Sequence, residues 1–211
     1  MKLNIKDIKA IVFDCDGVMF DTADANRMYY NEVLRHFGKQ ELTDEQFIKV
    51  HMYTVKEALE YLFPDMESLY EVYHYMAGVG YPRFISYMKI EPGLRQLLKV
   101  LKLEGYIRAV ATNRTDTMPA VLKEHKLENQ FDMVVTAADV KKPKPAPDQL
   151  LKIMAEFNLN SCQMIFIGDS QYDEIASFKA GTFFIAFKNS SLKADFHVDS
   201  MMEIGKILNV M

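Results

Sequence analysis

The sequence predicts an α/β fold: a parallel sheet of about five strands with helices on both faces, and a helical segment inserted after the first strand. Three observations predict it. Five short runs, Ala10–Phe13, Ile107–Ala111, Met133–Val135, Met164–Ile167 and Phe183–Phe187, lack the polar alternation of a half-exposed strand, as in a sheet buried on both faces. Helical patterns at Met118–His125, Asp148–Phe157 and Asp173–Ala180 follow the second, third and fourth runs, the alternation of right-handed βαβ crossovers. Each run also ends in polar residues, where an open α/β sheet places its site.

The interval from about Asp21 to Met88 breaks this rhythm. It holds no strand-like run but has helical spacing in Arg27–Phe37, Asp44–His51 and Val55–Phe63, then a tyrosine-rich stretch from Tyr70 to Tyr87. Phe37-Gly38 and Phe63-Pro64-Asp65 supply turns between these pieces. The expected division is therefore an α/β core of residues 1–20 and 89–211 and a helical insert of residues 21–88. The chain re-enters the core at Glu91-Pro92-Gly93, and Leu94–Leu103 forms a helix ended by Gly105. Tyr70, Tyr73, Tyr75, Tyr81 and Tyr87 are expected in the packing of the insert and its hinges, near Phe20–Asp21 and Met88–Pro92.

Composition narrows the function classes. A chain of 211 residues is one domain or two small ones, and 49% apolar with 26% charged residues excludes disorder and collagen-like repeats. Lys and Arg number 25 against 29 Asp and Glu, a net charge of −4. A nucleic-acid binder usually carries a basic excess to displace counterions from phosphates, so the expected partner is a small anionic metabolite and not a polymer. Two cysteines, Cys15 and Cys162, make no disulfide framework and have no metal-ligand spacing. The first residues, MKLNIKDIKAIVFDCDG, hold only a four-residue apolar run before Asp14, too short for a secretory core, and no run is long enough for a membrane span. A cytoplasmic protein is expected. Nothing in the sequence speaks to oligomeric state.

The chemistry lies at the strand ends. The first strand ends Phe13-Asp14-Cys15-Asp16-Gly17, and alternation along an extended chain projects Asp14 and Asp16 to one side and Cys15 away. Two carboxylates this close repel unless a cation intervenes, and Mg²⁺ favours a few carboxylates plus water and a substrate phosphate. The alternative is a strand-end pair capping the following turn. The fourth run leads into Gly168-Asp169-Ser170, with Asp173 four residues after Asp169; if strands one and four are neighbours, Asp14, Asp16 and Asp169 converge. An N-cap role is the alternative for Asp169. After the second run, Thr112-Asn113-Arg114 offers a hydroxyl and backbone N–H groups at a helix N-terminus, a phosphate cradle or a plain cap. After the third, Lys141-Lys142-Pro143-Lys144-Pro145-Ala146-Pro147-Asp148 is a proline-stiffened loop that holds a lysine over an anion or stays solvated. Lys142 and Lys144 both satisfy a Lys-Pro-x-Pro pattern; Lys144 is favoured because Asp148 then falls at a helix N-cap.

Taken together, these four segments resemble the motifs of the haloacid dehalogenase-like (HAD) hydrolase superfamily over nearly the whole chain. Asp14-Cys15-Asp16-Gly17-Val18-Met19-Phe20-Asp21-Thr22 is similar to its first motif and Ala111-Thr112-Asn113-Arg114 to its second. Lys144-Pro145-Ala146-Pro147-Asp148 is similar to the third, and Gly168-Asp169-Ser170-Gln171-Tyr172-Asp173 to the fourth. The insert sits where the superfamily carries an α-helical cap, as in phosphoglycolate phosphatase and beta-phosphoglucomutase-like members. The resemblance implies a Rossmann-like core and a Mg²⁺-dependent phosphatase acting on a small phosphorylated metabolite. It implies that Asp14 attacks phosphorus and that Asp16 protonates the leaving oxygen and then deprotonates water. Asp14, the Asp16 backbone carbonyl and Asp169 would hold Mg²⁺, leaving the Asp16 carboxyl free. Thr112, Asn113 and Lys144 would bind the phosphoryl group, and Asp173 would orient Lys144 or a water. Arg27, His51, Tyr53 and Lys56 are candidate cap contacts, each more simply read as an exposed helix residue.

The nearest rival is a phosphomutase or phosphotransferase with the same core residues. A non-catalytic phosphate-binding protein is disfavoured because every chemical position is filled. Dehalogenation needs no acid two residues after the nucleophile, so Asp16 argues against it. A receiver domain fits neither the insert nor the Lys-Pro-Ala-Pro-Asp loop.

Overall fold

Eight strands form among the described residues of this computed structural model, which are 3–53 and 55–211. They are β1 (Ala10–Phe13), β2 (Phe20–Asp21), β3 (Lys89–Ile90), β4 (Ile107–Ala111), β5 (Met133–Val135), β6 (Met164–Gly168), β7 (Phe183–Phe187) and β8 (Phe196–Val198). Residues 1, 2 and 54, within the expected core and insert ranges, lie outside the described residues. β1, β6 and β7 are buried along their whole length, as expected of β-branched and aromatic runs covered on both sides. The main sheet has six strands, all parallel, in the order β5-β4-β1-β6-β7-β8. The sixth strand is the correction to the expected five. Phe-His-Val at the sheet edge is three residues long with His197 exposed, too short and too polar to stand out as an apolar run.

The chain runs outward from β1 to β4 and β5, then crosses back to β6, β7 and β8. β1 therefore lies where the strand order reverses, and the carboxyl ends of β4 and β6 flank its own, the place where open α/β sheets bind ligands.

Nine α-helices accompany these strands among the described residues: α1 (Ala23–His36), α2 (Asp44–Met52), α3 (Val55–Leu62), α4 (Tyr70–Val79), α5 (Leu94–Leu103), α6 (Met118–Glu124), α7 (Asp148–Glu156), α8 (Gln171–Ala180) and α9 (Met201–Ile207). α5 shows how pattern becomes packing. Leu94, Leu97, Leu98 and Leu101 recur at helical spacing, and all four are fully buried. Each such side chain contributes about 1.5–3 kcal/mol. α5 packs on β4 and on α9. On one face of the sheet, Ala10, Val12, Ala109, Ala111 and Phe166 join Leu150 and Ile153 of α7 and Ala176 of α8 in one core. The helix starts differ from the sequence reading at one informative place. Asp148 is the first residue of α7 and not its cap; Pro147 occupies the cap position, and the Asp148 carboxylate accepts from the Lys142 backbone N–H.

The chain divides into two compact units, one of residues up to Asp21 with Ile90–Met211, the other Thr22–Lys89. The second unit is helical and has its own core of Tyr30, Val33, Leu34, Phe47, Leu59, Phe63, Val72 and Met76. A capping box between Thr43 and Gln46 starts α2. Gly80, with φ of +69°, ends α4 before a 3₁₀ segment at Tyr81–Tyr87. The tyrosines depart from expectation: Tyr70, Tyr73 and Tyr87 are exposed, because they sit on the outward stripe of their helical turns. Tyr75 stacks on His36, and Tyr81 donates to Asn26 Oδ1.

Arg108 stands inside β4, a run otherwise apolar. Its guanidinium and backbone N–H both donate to the Asp132 carboxylate just before β5, at 2.8–3.2 Å, so the pair ties two neighbouring strands together. The arginine side chain is only 6% exposed. Asp132→Ala leaves that charge buried without its carboxylate and should lower the unfolding free energy by about 2–4 kcal/mol. Asp132→Asn keeps an acceptor oxygen and should cost less. Urea denaturation of the two variants measures the difference; equal losses would mean the hydrogen bonds contribute nothing beyond charge.

Candidate active site

Four segments meet at the carboxyl edge of the sheet. Asp14 follows β1, and its backbone N–H donates to the Ile167 carbonyl of β6 at 2.9 Å, continuing the ladder one residue past the strand. Asp169 follows β6. Two glycines allow the close approach: a Cβ on Gly17 would lie 1.9 Å from Asp169 Oδ2, and one on Gly168 would lie 2.3 Å from Asp173 Cβ. Gly17 also has a φ of +75°, which a side chain would strain. The result is a cluster in which carboxylate oxygens of Asp14, Asp169 and Asp173 all lie within 4.8 Å of one another.

Lys144 joins the cluster from the β5–α7 loop. Its side chain is almost fully buried, with Nζ 2.7 Å from Asp14 Oδ1 and 2.6 Å from Asp173 Oδ1. Lys142 is exposed, so Lys144 is the lysine that turns inward. Asp173 is completely buried and does three things at once. It receives the lysine, accepts from Ser170 Oγ at 2.5 Å and accepts from the Ser170 backbone N–H at 3.1 Å. Ser170, not Asp169, caps α8, in a capping box closed by Asp173. Asp169 is thereby left with its side chain uncommitted to the helix.

Three carboxylates facing one ammonium in a buried place set the electrostatics. Burial pushes the Asp14 carboxyl up to about 7, with Asp173 and Asp16 adding to the effect and Lys144 opposing it. Asp169 is raised to about 8, again chiefly by burial and then by Asp14 and Asp173. Burial works against the Lys144 ammonium, but Asp14 and Asp173 outweigh it and hold its pKa above the usual lysine range. Such a cluster is short of positive charge, and its hard oxygen donors fit a divalent cation of the Mg²⁺ type. A cation would also offset the burial and, after it, the repulsion that lift both carboxyls.

Asp16 does not join this group. Arg114 holds its carboxylate with two hydrogen bonds, Nη2 to Oδ1 at 2.6 Å and Nε to Oδ2 at 2.8 Å. The expected free carboxyl is therefore engaged. In sequence Arg114 reads only as the last letter of a weak motif, and 98 residues separate it from its partner. Thr112 is buried at the end of β4, and its Oγ1 accepts from the Arg114 backbone N–H at 3.1 Å. No helix begins there; α6 starts at Met118, so the expected cradle is the loop between. Asn113 donates its side-chain amide to the Lys144 carbonyl at 2.9 Å. The sequence reading also passed over Gln149, a fully buried glutamine whose amide donates to the Thr112 carbonyl at 2.6 Å. Cys15 is buried, and burial raises its thiol well above the ordinary value.

The candidate contacts on the helical unit have partners within that unit. Arg27 pairs with Asp44 and lies over the Phe47 ring, His51 contacts Asn26, and Lys56 faces Glu60 at 3.7 Å, while Tyr53 is exposed. No helix among the described residues is long and apolar enough to cross a membrane.

The chain is similar to several known proteins. The chain is 29% identical to a phosphoglycolate phosphatase of Nitrosospira multiformis, covering 83% of this chain and 81% of that protein. It is 28% identical to pyrophosphatase PpaX of Bacillus velezensis, covering 84% and 82%. Among solved structures, a HAD-superfamily hydrolase of subfamily IA, variant 1, from Geobacter sulfurreducens superposes with a TM-score of 0.86 at 34% identity, over 96% of this chain and 97% of that one. A sequence profile described as haloacid dehalogenase-like hydrolase matches residues 11–187, a span that holds every side chain of the site just described. The chain belongs to the haloacid dehalogenase-like hydrolases.

Proposed function

We propose that the chain is a Mg²⁺-dependent phosphatase that hydrolyses a small phosphomonoester through a phosphoryl group carried on Asp14. The observation that carries this reading is the buried run Asp14–Lys144–Asp173 beside Asp169 at the strand ends. Relatives named phosphoglycolate phosphatase and pyrophosphatase support a small phosphorylated substrate. In this reading residues 1–20 and 89–211 carry the chemistry, and residues 21–88 serve as a cap.

Asp14 and Asp169, with the Asp16 backbone carbonyl, would hold Mg²⁺, which when bound supplies positive charge beside the phosphoryl oxygens. An Asp14 oxygen attacks phosphorus, forming the acyl phosphate as the bond to the leaving oxygen breaks. Asp16, entering the first step protonated, gives the departing alkoxide that proton, then regains one from the water that attacks the same phosphorus and releases Asp14. The two Arg114 hydrogen bonds take one lone pair on each Asp16 oxygen and leave the others for these transfers. The Thr112 hydroxyl, whose oxygen already accepts from Arg114, has its proton to donate to a phosphoryl oxygen. Lys144 balances the charge spread over the transferring group in the transition state.

Asp14→Asn should lower turnover of phosphomonoesters by roughly 10³–10⁶-fold; near-native phosphate release from this variant in a rapid-quench assay would remove Asp14 from the chemistry. Asp16→Asn should slow an alkyl phosphate by about 10²–10⁴-fold. With p-nitrophenyl phosphate, whose leaving group needs no proton, the same variant should give a burst of p-nitrophenol followed by slow turnover. Equal slowing of both esters with no burst would count against the acid–base role.

Cation binding has its own signature. Because the folded-state values of Asp14 and Asp169 are raised, the metal-free protein holds these protons longer than the unfolded chain does. Their contribution to stability is thus fully present below about pH 4 and is lost as pH rises through 7 to 8. Mg²⁺ at about 100 times its Kd should raise Tm by about 5–10 °C at pH 8 and by less at pH 6. Asp169→Asn should remove most of that gain. Thermal melts with and without MgCl₂ measure it, and an undiminished shift in the variant would place the cation elsewhere.

A further inference from the structure

The Lys144 ammonium is fixed at its far end by Asp14 and Asp173, but its backbone is fixed too, by two side chains that take no bond-making step in the reaction proposed above. The Lys144 N–H donates to Gln149 Oε1 at 3.3 Å, and its carbonyl accepts from Asn113 Nδ2 at 2.9 Å. The other end of the Gln149 amide donates to the Thr112 carbonyl at 2.6 Å and reaches the Val135 carbonyl at 3.5 Å. One glutamine thus links the end of β4, the end of β5 and the lysine loop. Gln149 is 0% exposed, at a helix position where an apolar residue would fill the same space, as Leu150 and Ile153 do on the same helix. A buried amide with both ends committed is held in a single orientation, since any rotation leaves donors and acceptors unpaired in a low-dielectric setting.

We infer that Gln149, together with Asn113, is a positioning residue that couples Lys144 to Thr112, so that the ammonium and the hydroxyl address one phosphoryl group at a set separation. This rests on the phosphatase reading above and deepens it. The two side chains reach Lys144 by independent routes, Gln149 from within α7 and Asn113 from the loop after β4. Asn113 reaches the lysine through one of its two amide N–H groups, which the Lys144 carbonyl accepts. A loosened lysine would still carry its charge and its carboxylate partners. It would lose the fixed placement that transition-state stabilisation requires.

A double-mutant cycle tests this with p-nitrophenyl phosphate and Mg²⁺, normalised to folded protein by circular dichroism. Gln149→Leu should lower kcat by about 10–100-fold, the range for residues that orient a catalytic group, with KM changed by less than about threefold. In a Lys144→Ala background the same substitution should change kcat by less than about twofold, because an effect transmitted through the lysine cannot be exerted without it. Asn113→Ala, at an exposed position, should follow the same pattern with a smaller first effect and serves if Gln149→Leu does not fold. Wild-type kcat in both single variants would overturn the inference, as would equal losses in the two backgrounds, the mark of a general structural effect. If Lys144→Ala itself turns over normally, the phosphatase reading fails as well, which separates the two outcomes.

Discussion

Everything at the carboxyl edge of this sheet is organised by one constraint: a lysine ammonium buried between two aspartates. Lys144 Nζ lies 2.7 Å from Asp14 and 2.6 Å from Asp173, and none of the three side chains is more than about a tenth exposed. A charge so far from water is tolerated only when it is paired and hydrogen-bonded. Asp173 cannot move, because Ser170 holds its other oxygen within a helix cap. Asp14 cannot move far, because its own peptide is part of the β1–β6 ladder. The lysine is therefore located by two separate secondary-structure elements.

The same constraint leaves the site with unbalanced charge. Lys144 offsets part of the charge on Asp14 and Asp173, and Asp169 adds a further carboxylate that burial and its neighbours raise to about 8. In the proposed reading a cation would offset that excess. It would meet the carboxylates, while the phosphoryl oxygens would meet the lysine, the Thr112 hydroxyl and the loop after β4. Asp16 stands apart, held by Arg114, so its carboxylate and that of Asp14 occupy different electrostatic surroundings although only one residue separates them. Different surroundings for paired carboxylates are what a nucleophile and an acid–base group require.

Much of this was legible in the sequence because it follows from local chemistry. Five of the six strands of the main sheet were readable as apolar runs, since strands packed between helical layers carry few polar residues, Arg108 being the paired exception. The sixth, Phe196–Val198, was not, since an exposed histidine, His197, stands at the centre of its three residues. The Asp14-x-Asp16 pair, Asp169 after a glycine and the lysine of a proline-stiffened loop were all visible as residue types at strand ends. Two features gave no local signal. Arg114 and Gln149 look like ordinary polar residues until the fold brings Asp16 to one and the Thr112 carbonyl to the other.

By itself, then, the sequence determined which residues end the four strands that carry the site and which chemistry they could support, because both depend on neighbours along the chain. Only the tertiary structure decided how those ends are combined. Strand order set β4 and β6 on either side of β1, and burial selected Lys144 over Lys142. The absence of side chains at Gly17 and Gly168 admitted Asp169 and Asp173. Pairing across 98 residues gave Asp16 to Arg114. These are contacts between segments far apart in the chain, made through burial and hydrogen bonding, and no local pattern encodes such a pair until folding brings both members out of water together.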